Sequence, residues 1–234
     1  MGRLLKRNGR LAGSARSGTV PRWRKCDWTH ERPSRPKVLD VGAGNCRYAA
    51  LFSHCQYIAQ DHSDVDYDIA GIAQVRSDLT NVPLETGSLD ALLCTKVLEH
   101  VEEPLRAISE FARLLRPGGK MFLSVPSACR VHRVPTHYYG GFAPDFFERS
   151  LTSRGFVLDE LRPIGCWSTF MAQELGRMPY VLRHETSLGA VGRMLSIVSW
   201  PLFRILVPLS LRVLARVDRS TDLPLGWIAY ATRR

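Results

Sequence analysis

The sequence predicts an α/β protein built on a doubly wound, mostly parallel sheet. Strand-like and helix-like segments alternate from residue 37 to residue 161. Leu89 to Thr95 is nearly all apolar, the composition of a central strand covered by helices on both faces. Gly42 and Gly44 directly follow the first apolar run, where an open sheet turns a strand into a helix.

Lys37 to Val41 is that first run, a buried strand leading into a helix over Cys46 to Phe52. Gln56 to Gln60 is a second strand ending at Asp61, and Gln74 to Arg76 a short third ending near Asp78. Ser63 to Ile69, between them, is too acidic and broken to assign as a helix. After the central strand, Pro104 opens a helix. It should bury Leu105, Ile108, Phe111, Ala112 and Leu115 and turn Arg106, Glu110 and Arg113 to water. Pro117-Gly118-Gly119 should stop it. Met121 to Val125 is a fifth strand, Pro144 to Ser153 a helix, Phe156 to Leu161 a sixth strand and Trp227 to Thr232 the last. The chain thus divides into a basic, flexible arm (1–36), a core (37–163), an apolar helical insertion (164–225) and a closing strand (226–234).

A chain of 234 residues, 45% apolar and 23% charged, holds one globular α/β unit with a generous core. That balance excludes disordered and fibrous classes. Residues 1–36 hold ten Lys and Arg against Asp27 and Glu31, a local +8 that leaves only +2 of the overall +10 for the rest. No general basic face remains, so no specific nucleic-acid partner is expected. Six cysteines without a C-x-x-C pair fit reduced thiols, and residues 1–25 lack the apolar run of a secretory signal. A cytoplasmic location is expected.

In Val38-Leu39-Asp40-Val41-Gly42-Ala43-Gly44 an acid precedes two glycines at a strand end, and Asp61, with His62 after it, follows about 20 residues later. Gly42, Ala43 and Gly44 let backbone pass close beneath a ligand. Asp61, at the tip of the second strand, can accept hydrogen bonds from both hydroxyls of a ribose. Asp40 separates two ligand classes. A nicotinamide dinucleotide would lay its pyrophosphate over this turn and be repelled by a carboxylate, whereas a cationic nucleoside would be attracted.

Three further segments fall at strand ends or helix boundaries: Ser77-Asp78-Leu79, the run Leu92-Leu93-Cys94-Thr95-Lys96-Val97-Leu98-Glu99-His100-Val101, and Leu114-Leu115-Arg116-Pro117-Gly118-Gly119. In this order they resemble the class I S-adenosylmethionine-dependent methyltransferases of the type 11 group, over about residues 37–161. The resemblance implies a Rossmann-like, seven-stranded sheet in the order 3-2-1-4-5-7-6 with the last strand antiparallel. It implies S-adenosylmethionine as methyl donor, with Asp78 accepting from the adenine amino group and Leu79 packing on the ring. Thr95 and Lys96 would line the methionine arm through their backbone. Cys46 and Lys96 depart from the pattern, standing where many members have glycine and glutamate.

The segment His132-Arg133-Val134-Pro135-Thr136-His137-Tyr138-Tyr139-Gly140-Gly141-Phe142 resembles the acceptor border of a bacterial subgroup of these enzymes. Transfer to a hydroxyl needs a positioned nucleophile and a base. His137 is the first candidate for that base, His132 the second, and Tyr138 or Tyr139 would position the acceptor. Packing of a loop is the competing reading of the same residues, and Glu99 and His100 read as structural or capping groups. Some relatives bind a divalent metal through Glu-x-x-Glu-His at this place. Here Lys96 replaces one carboxylate, so no metal is expected despite His132 and His137 nearby.

Residues 194–217 are strongly apolar, but Pro201, Pro208, Arg204, Arg212 and Arg216 argue against a clean membrane span. On a helix, Arg193, Arg204, Arg212, Arg216 and Arg219 share an arc of about 140°, as a helix lying on an anionic surface would have. Residues 193–219 are therefore a candidate peripheral membrane contact on the inner face. A kinked helical pair capping the acceptor pocket or making a dimer contact is the alternative. The acceptor class expected is a small molecule, glycan or lipid-linked intermediate, methylated at oxygen. The competing readings are a non-catalytic donor-binding module and an RNA methyltransferase.

Overall fold

The computed structural model describes residues 35–62 and 74–234. The basic arm up to residue 34 and the segment Ser63 to Ile69 lie outside the described residues. Seven strands form one sheet in the order β3-β2-β1-β4-β5-β7-β6. They are β1 (Lys37–Val41), β2 (Gln56–Asp61), β3 (Val75–Arg76), β4 (Leu89–Thr95), β5 (Leu115–Pro126), β6 (Phe156–Ile164) and β7 (Gly226–Arg233). β1 to β5 pair in parallel, and β7 runs antiparallel between β5 and β6. This is the order and polarity expected. The order reverses at β1 and β4, and the crevice at their carboxyl ends is where an open sheet binds its ligand.

Val38, Leu39, Val41, Ala91, Leu92, Leu93 and Cys94 are fully buried, so β1 and β4 form the dry centre of the sheet. Two helices pack beside it, α1 (Pro104–Leu114) and α2 (Pro144–Thr152), and Ile108, Phe111, Leu114, Phe147 and Leu151 fill the space beneath them. Burying such side chains is worth about 1.5–3 kcal/mol each, so the stripe along α1 is what holds it down.

Three local expectations need correction. No α-helix follows β1, only a 3₁₀ turn over Ala49–Phe52. Gly42, Gly44 and Cys46 all take positive φ, which a right-handed helix excludes, and Cys55 already bonds back to Phe52 ahead of β2. On α1 the phase shifts: Leu105 is exposed, whereas Glu110 is buried, accepting from the Val82 amide at 2.8 Å and from Arg113 at 2.7 Å. Leu115 and Pro117-Gly118-Gly119 belong to β5 rather than to the end of α1, because the residues before a proline are pushed to extended backbone.

Between β6 and β7 the chain makes a helical hairpin. One arm is α3 (Trp167–Leu175) and α4 (Met178–His184); the other is α5 (Gly189–Pro201) and α6 (Val207–Leu214). A π turn over Leu202–Leu206 joins α5 to α6, giving one continuous helix of 26 residues, long and apolar enough by length and composition to cross a membrane. Pro201 and Pro208 flank the wide turn instead of breaking the helix. The arms touch through small groups. A Cβ on Gly192 would come within 2.4 Å of the Leu182 carbonyl oxygen, and Gly192 and Ser196 are the buried residues of α5. Large apolar side chains point outward: Val191, Met194, Ile197, Val198, Leu206, Leu209 and Val213 are all more than half exposed. The Asp218 carboxylate ties the hairpin's base, accepting from the Ser168 amide at 2.8 Å and the Ser220 amide at 2.9 Å.

Candidate active site

The turn after β1 is held from three sides. Gly42 donates to Gln60 Oε1 at 3.3 Å, Ala43 to the Gln60 carbonyl at 3.0 Å and Gly44 to Asp61 Oδ2 at 2.9 Å. Gln60 Nε2 also donates to the Ser77 carbonyl at 2.6 Å, which links the turn to the segment carrying Asp78. Gly42 has φ +62° and sits against Val97, so its hydrogen is required by packing. Gly44 has φ +53°, and a Cβ there would meet nothing within 4 Å. The space above Gly44 is thus the opening of a cradle.

Asp40 lies beneath that turn, almost wholly buried. Its Oδ2 accepts from the Tyr57 hydroxyl at 2.6 Å, while Oδ1 has no partner among the described residues. Burial pushes its carboxyl up to about 6; the Tyr57 bond opposes that rise and the charge of Asp61 adds to it. A buried carboxylate with an orphaned oxygen is a place for a cation or its bridging water. Asp61 Oδ1 accepts from the His62 amide at 2.9 Å, so Asp61 is fixed at the mouth of the cradle. Asp78 is exposed and accepts from the Thr80 amide and hydroxyl, both at 2.7 Å, which hold its carboxyl below the ordinary range. Leu79 is buried in the core beside it.

Across the switch point, Thr95 ends β4 and Lys96 takes φ +57°. The Lys96 amide donates to the Ser124 carbonyl at 2.8 Å, and its ammonium reaches toward Gly226, where a Cβ would come within 2.8 Å of Nζ. Burial lowers its pKa. Glu99 is buried, and burial raises its carboxyl. Its carbonyl accepts from the Tyr138 and Tyr139 amides at 3.0 and 3.2 Å, fastening the loop after β5 to the loop after β4.

That fastening brings His100, His132 and His137 together, with adjacent ring centres 4.7 to 5.8 Å apart. Neither ring nitrogen of His137 has a partner among the described residues. Tyr138 is exposed, whereas Tyr139 donates to the Glu102 carbonyl at 2.9 Å and packs on Phe142. The two predicted groups of residues therefore stand on one edge of the sheet, donor residues around β1 and β2 and histidines beyond β4 and β5. Gln60 and Tyr57 were missed in sequence. A glutamine and a tyrosine in a short strand carry no motif, and their role follows only from the pairing of β2 with β1. Cys46, Cys55, Cys94, Cys129 and Cys166 are free thiols.

Residues 39–123 match the family described as a methyltransferase domain. An uncharacterized methyltransferase of Mycobacterium sp. (strain JLS) is 32% identical over 144 residues, covering 57% of this chain and 56% of the relative. The ubiquinone biosynthesis O-methyltransferase of Xanthomonas oryzae pv. oryzae is 37% identical over 130 residues, covering 46% and 52%. The chain thus spans about half the length of these curated relatives. A S-adenosylmethionine-dependent methyltransferase structure from Archaeoglobus fulgidus superposes with a TM-score of 0.53 over 85% of this chain and 86% of that one, at 16% identity, which bears on the fold alone. The residues present fit the donor of that family: open space over Gly44, an acid at the tip of β2 and an orphaned buried carboxylate oxygen on Asp40. Residues 39–123 thus carry a methyltransferase domain of the type 11 group, in a chain with the fold of the class I S-adenosylmethionine-dependent methyltransferases.

Proposed function

We propose that the chain transfers the methyl group of S-adenosylmethionine to a hydroxyl oxygen of a small-molecule, glycan or lipid-linked acceptor at the inner face of a membrane. The observation that carries the reading is the unpartnered His137 ring on the sheet edge that also holds the Gly44 cradle. Bound there, S-adenosylmethionine supplies an electrophilic methyl carbon. Asp61 grips the ribose, Asp78 and Leu79 the adenine, Asp40 the cationic end through water, and Thr95 and Lys96 border the methionine arm. The acceptor oxygen forms its bond to the methyl carbon as the carbon–sulfur bond breaks, and the hydroxyl proton passes to His137, with His132 beside it and Tyr138 at the rim.

Oxygen as the accepting atom is supported by the name of the Xanthomonas oryzae relative. An apolar acceptor carrier is supported by the outward-facing apolar residues of the hairpin, with residues 164–225 as the membrane-facing arm. The test incubates the full chain with methyl-labelled donor and either membrane lipid or aqueous extract. Label should enter a lipid product, and His137→Ala should keep donor affinity while slowing transfer about 10²-fold or more. Transfer unaffected by His137→Ala would remove the base. Intact donor binding with no labelled product in either extract would favour a non-catalytic donor-binding module.

A further inference from the structure

His100 ends the 3₁₀ turn after β4, and His132 and His137 lie on the loop between β5 and α2. Ring centres are 4.7 Å apart for His100–His132, 4.7 Å for His132–His137 and 5.8 Å for His100–His137. One nitrogen from each ring lies within 4.8 Å of the others. No hydrogen bond joins one ring to another among the described residues, so mutual bonding does not explain why three imidazoles converge.

The backbone fixes how two of the rings are turned. His100 Nδ1 is 2.8 Å from the Thr136 carbonyl oxygen, and His132 Nδ1 is 2.8 Å from that of Arg130. A carbonyl oxygen only accepts, so each Nδ1 carries a proton, and it is Nε2 that offers the lone pair a metal would take. Metal-binding histidines are held this way, the outer nitrogen on a carbonyl and the inner one on the ion. His137 supplies a third ring, whose two nitrogens are buried and unpartnered. The Glu99 carboxylate, with one oxygen also buried and unpartnered, sets a negative charge against Lys96, Arg133 and His132 nearby.

The dimensions suit an ion of zinc size. With metal–nitrogen bonds of about 2.0–2.1 Å, three imidazoles at tetrahedral angles have ring centres about 5.2 Å apart and bound nitrogens about 3.4 Å apart. The observed centre distances fall on both sides of the first value. Rotation of the His137 ring, which no hydrogen bond among the described residues holds, would draw nitrogens that already lie within 4.8 Å of one another closer to the bound spacing.

We propose that His100, His132 and His137 bind one divalent transition-metal ion of the zinc class, through Nε2 of His100 and His132 and one ring nitrogen of His137. Three imidazoles select zinc, copper, iron or nickel over magnesium and calcium, and three protein ligands leave a fourth position for water or an acceptor oxygen. The donor set differs from the carboxylate-rich motif weighed in the sequence, since two of its members come from the loop after β5. The expectation of no metal set the Lys96 ammonium against His132 and His137 nearby; the convergence of those two rings with His100 is what the structure adds. This inference meets the proposed function at one point. With an ion bound, the site would supply a Lewis acid that makes an acceptor hydroxyl easier to deprotonate, and His137 would be its ligand, so the role of base given above belongs to the metal-free site.

The test uses the tag-free full chain, stripped with a chelator and titrated with Co²⁺ and Zn²⁺ without donor or acceptor. One equivalent of Co²⁺ should bind with the visible absorption of a tetrahedral, nitrogen-rich site, and Zn²⁺ should displace it. His132→Ala and His137→Ala should each weaken binding by at least about 100-fold, while His54→Ala and Asp61→Ala leave it unchanged. In the wild type, Zn²⁺ should move the imidazole ¹⁵N resonances of His100, His132 and His137, a readout that needs no variant to fold. Absence of those shifts, binding indifferent to both histidine variants, or retention of Mg²⁺ in place of Zn²⁺ would overturn the site. Donor affinity, measured separately, reports on the proposed function and not on the metal.

Discussion

The backbone N–H of Gly44 donates to the Asp61 carboxylate across 2.9 Å, so the turn after β1 and the tip of β2 hold each other in place. In the proposed function the same carboxylate would also take the ribose. Asp61→Ala should weaken S-adenosylhomocysteine binding by about 10² to 10⁴-fold, the loss of two hydrogen bonds to a charged acceptor at about 1.5–3 kcal/mol each. Asp61→Asn should fall between, since it keeps an acceptor for Gly44. Titration calorimetry checks both, and equal affinity in wild type and Asp61→Ala would refute the ribose assignment.

Gly42 and Gly44 share a positive φ yet should fail differently when substituted. A Cβ on Gly42 would lie 2.5 Å from Val97 Cγ2, so Gly42→Ala should destabilise the protein by about 2–3 kcal/mol, strain and overpacking together. At Gly44 the Cβ enters open space, so Gly44→Ala should cost about 1 kcal/mol for its backbone while obstructing the donor. Urea denaturation and donor titration on the two variants should therefore rank them in opposite orders.

The contrast shows what the sequence carried. Strand positions and the acid–glycine turn were legible because burial and turn geometry restrict which residues can stand there, whereas the sheet order came from the family resemblance. The 3₁₀ turn after β1 was not, since three positive φ values in five residues are set by the tertiary path back to β2 and not by local propensity. The histidine cluster was only half legible. His132 and His137 could be named, but their meeting with His100 depends on Glu99 fastening one loop to the other.

Asp40 should set the pH response of donor binding. Its folded pKa is raised from 3.8 to about 6, with burial as the main cause. For a raised carboxyl, the stabilisation belongs to the neutral form, is fully present below the unfolded value and is lost as pH rises through about 6. Asp40→Asn should therefore stabilise the ligand-free protein at pH 8 by about 1–3 kcal/mol and have no effect near pH 4. Donor affinity has the opposite sign: the ionised carboxylate attracts the cation, so wild-type affinity should fall as pH drops below 6. A variant that differs from wild type by the same amount at pH 4 and pH 8 would show that Asp40 is not strained by burial.

Glu110 was placed on the wet side of α1 by its spacing and is instead an interior bracket. Burial alone would raise its carboxyl, but Arg113 and the Val82 amide outweigh that and hold it below the ordinary value. Removing it leaves a buried amide and a guanidinium without their acceptor, so Glu110→Ala should cost about 2–4 kcal/mol. Thermal unfolding should show the loss at pH 7. The deficit should shrink as pH falls through the folded pKa, where wild type also loses the ionised contact.

The hairpin between β6 and β7 has its polarity reversed relative to a helix of a water-soluble core. Gly192 and Ser196 face the partner arm, while Ile197 and Val198 are 72% and 71% exposed. Small residues between helices and large apolar ones outside is the arrangement of helices that pack in lipid. Arg193, Arg204, Arg212, Arg216 and Arg219 are all exposed along the same stretch, where each adds about 1 kcal/mol of attraction to an anionic surface. The full chain should float with phosphatidylglycerol vesicles and bind phosphatidylcholine vesicles less. Ile197→Asp with Val198→Asp should abolish flotation at any salt. Arg204→Glu with Arg212→Glu should weaken it at least about tenfold at low salt and less at high salt, because exposed charges are screened within about 10 Å at 0.1 M. Wild-type protein that stays in the aqueous fraction with both vesicle types would remove the membrane from the proposed function and leave the outward apolar face to a protein partner.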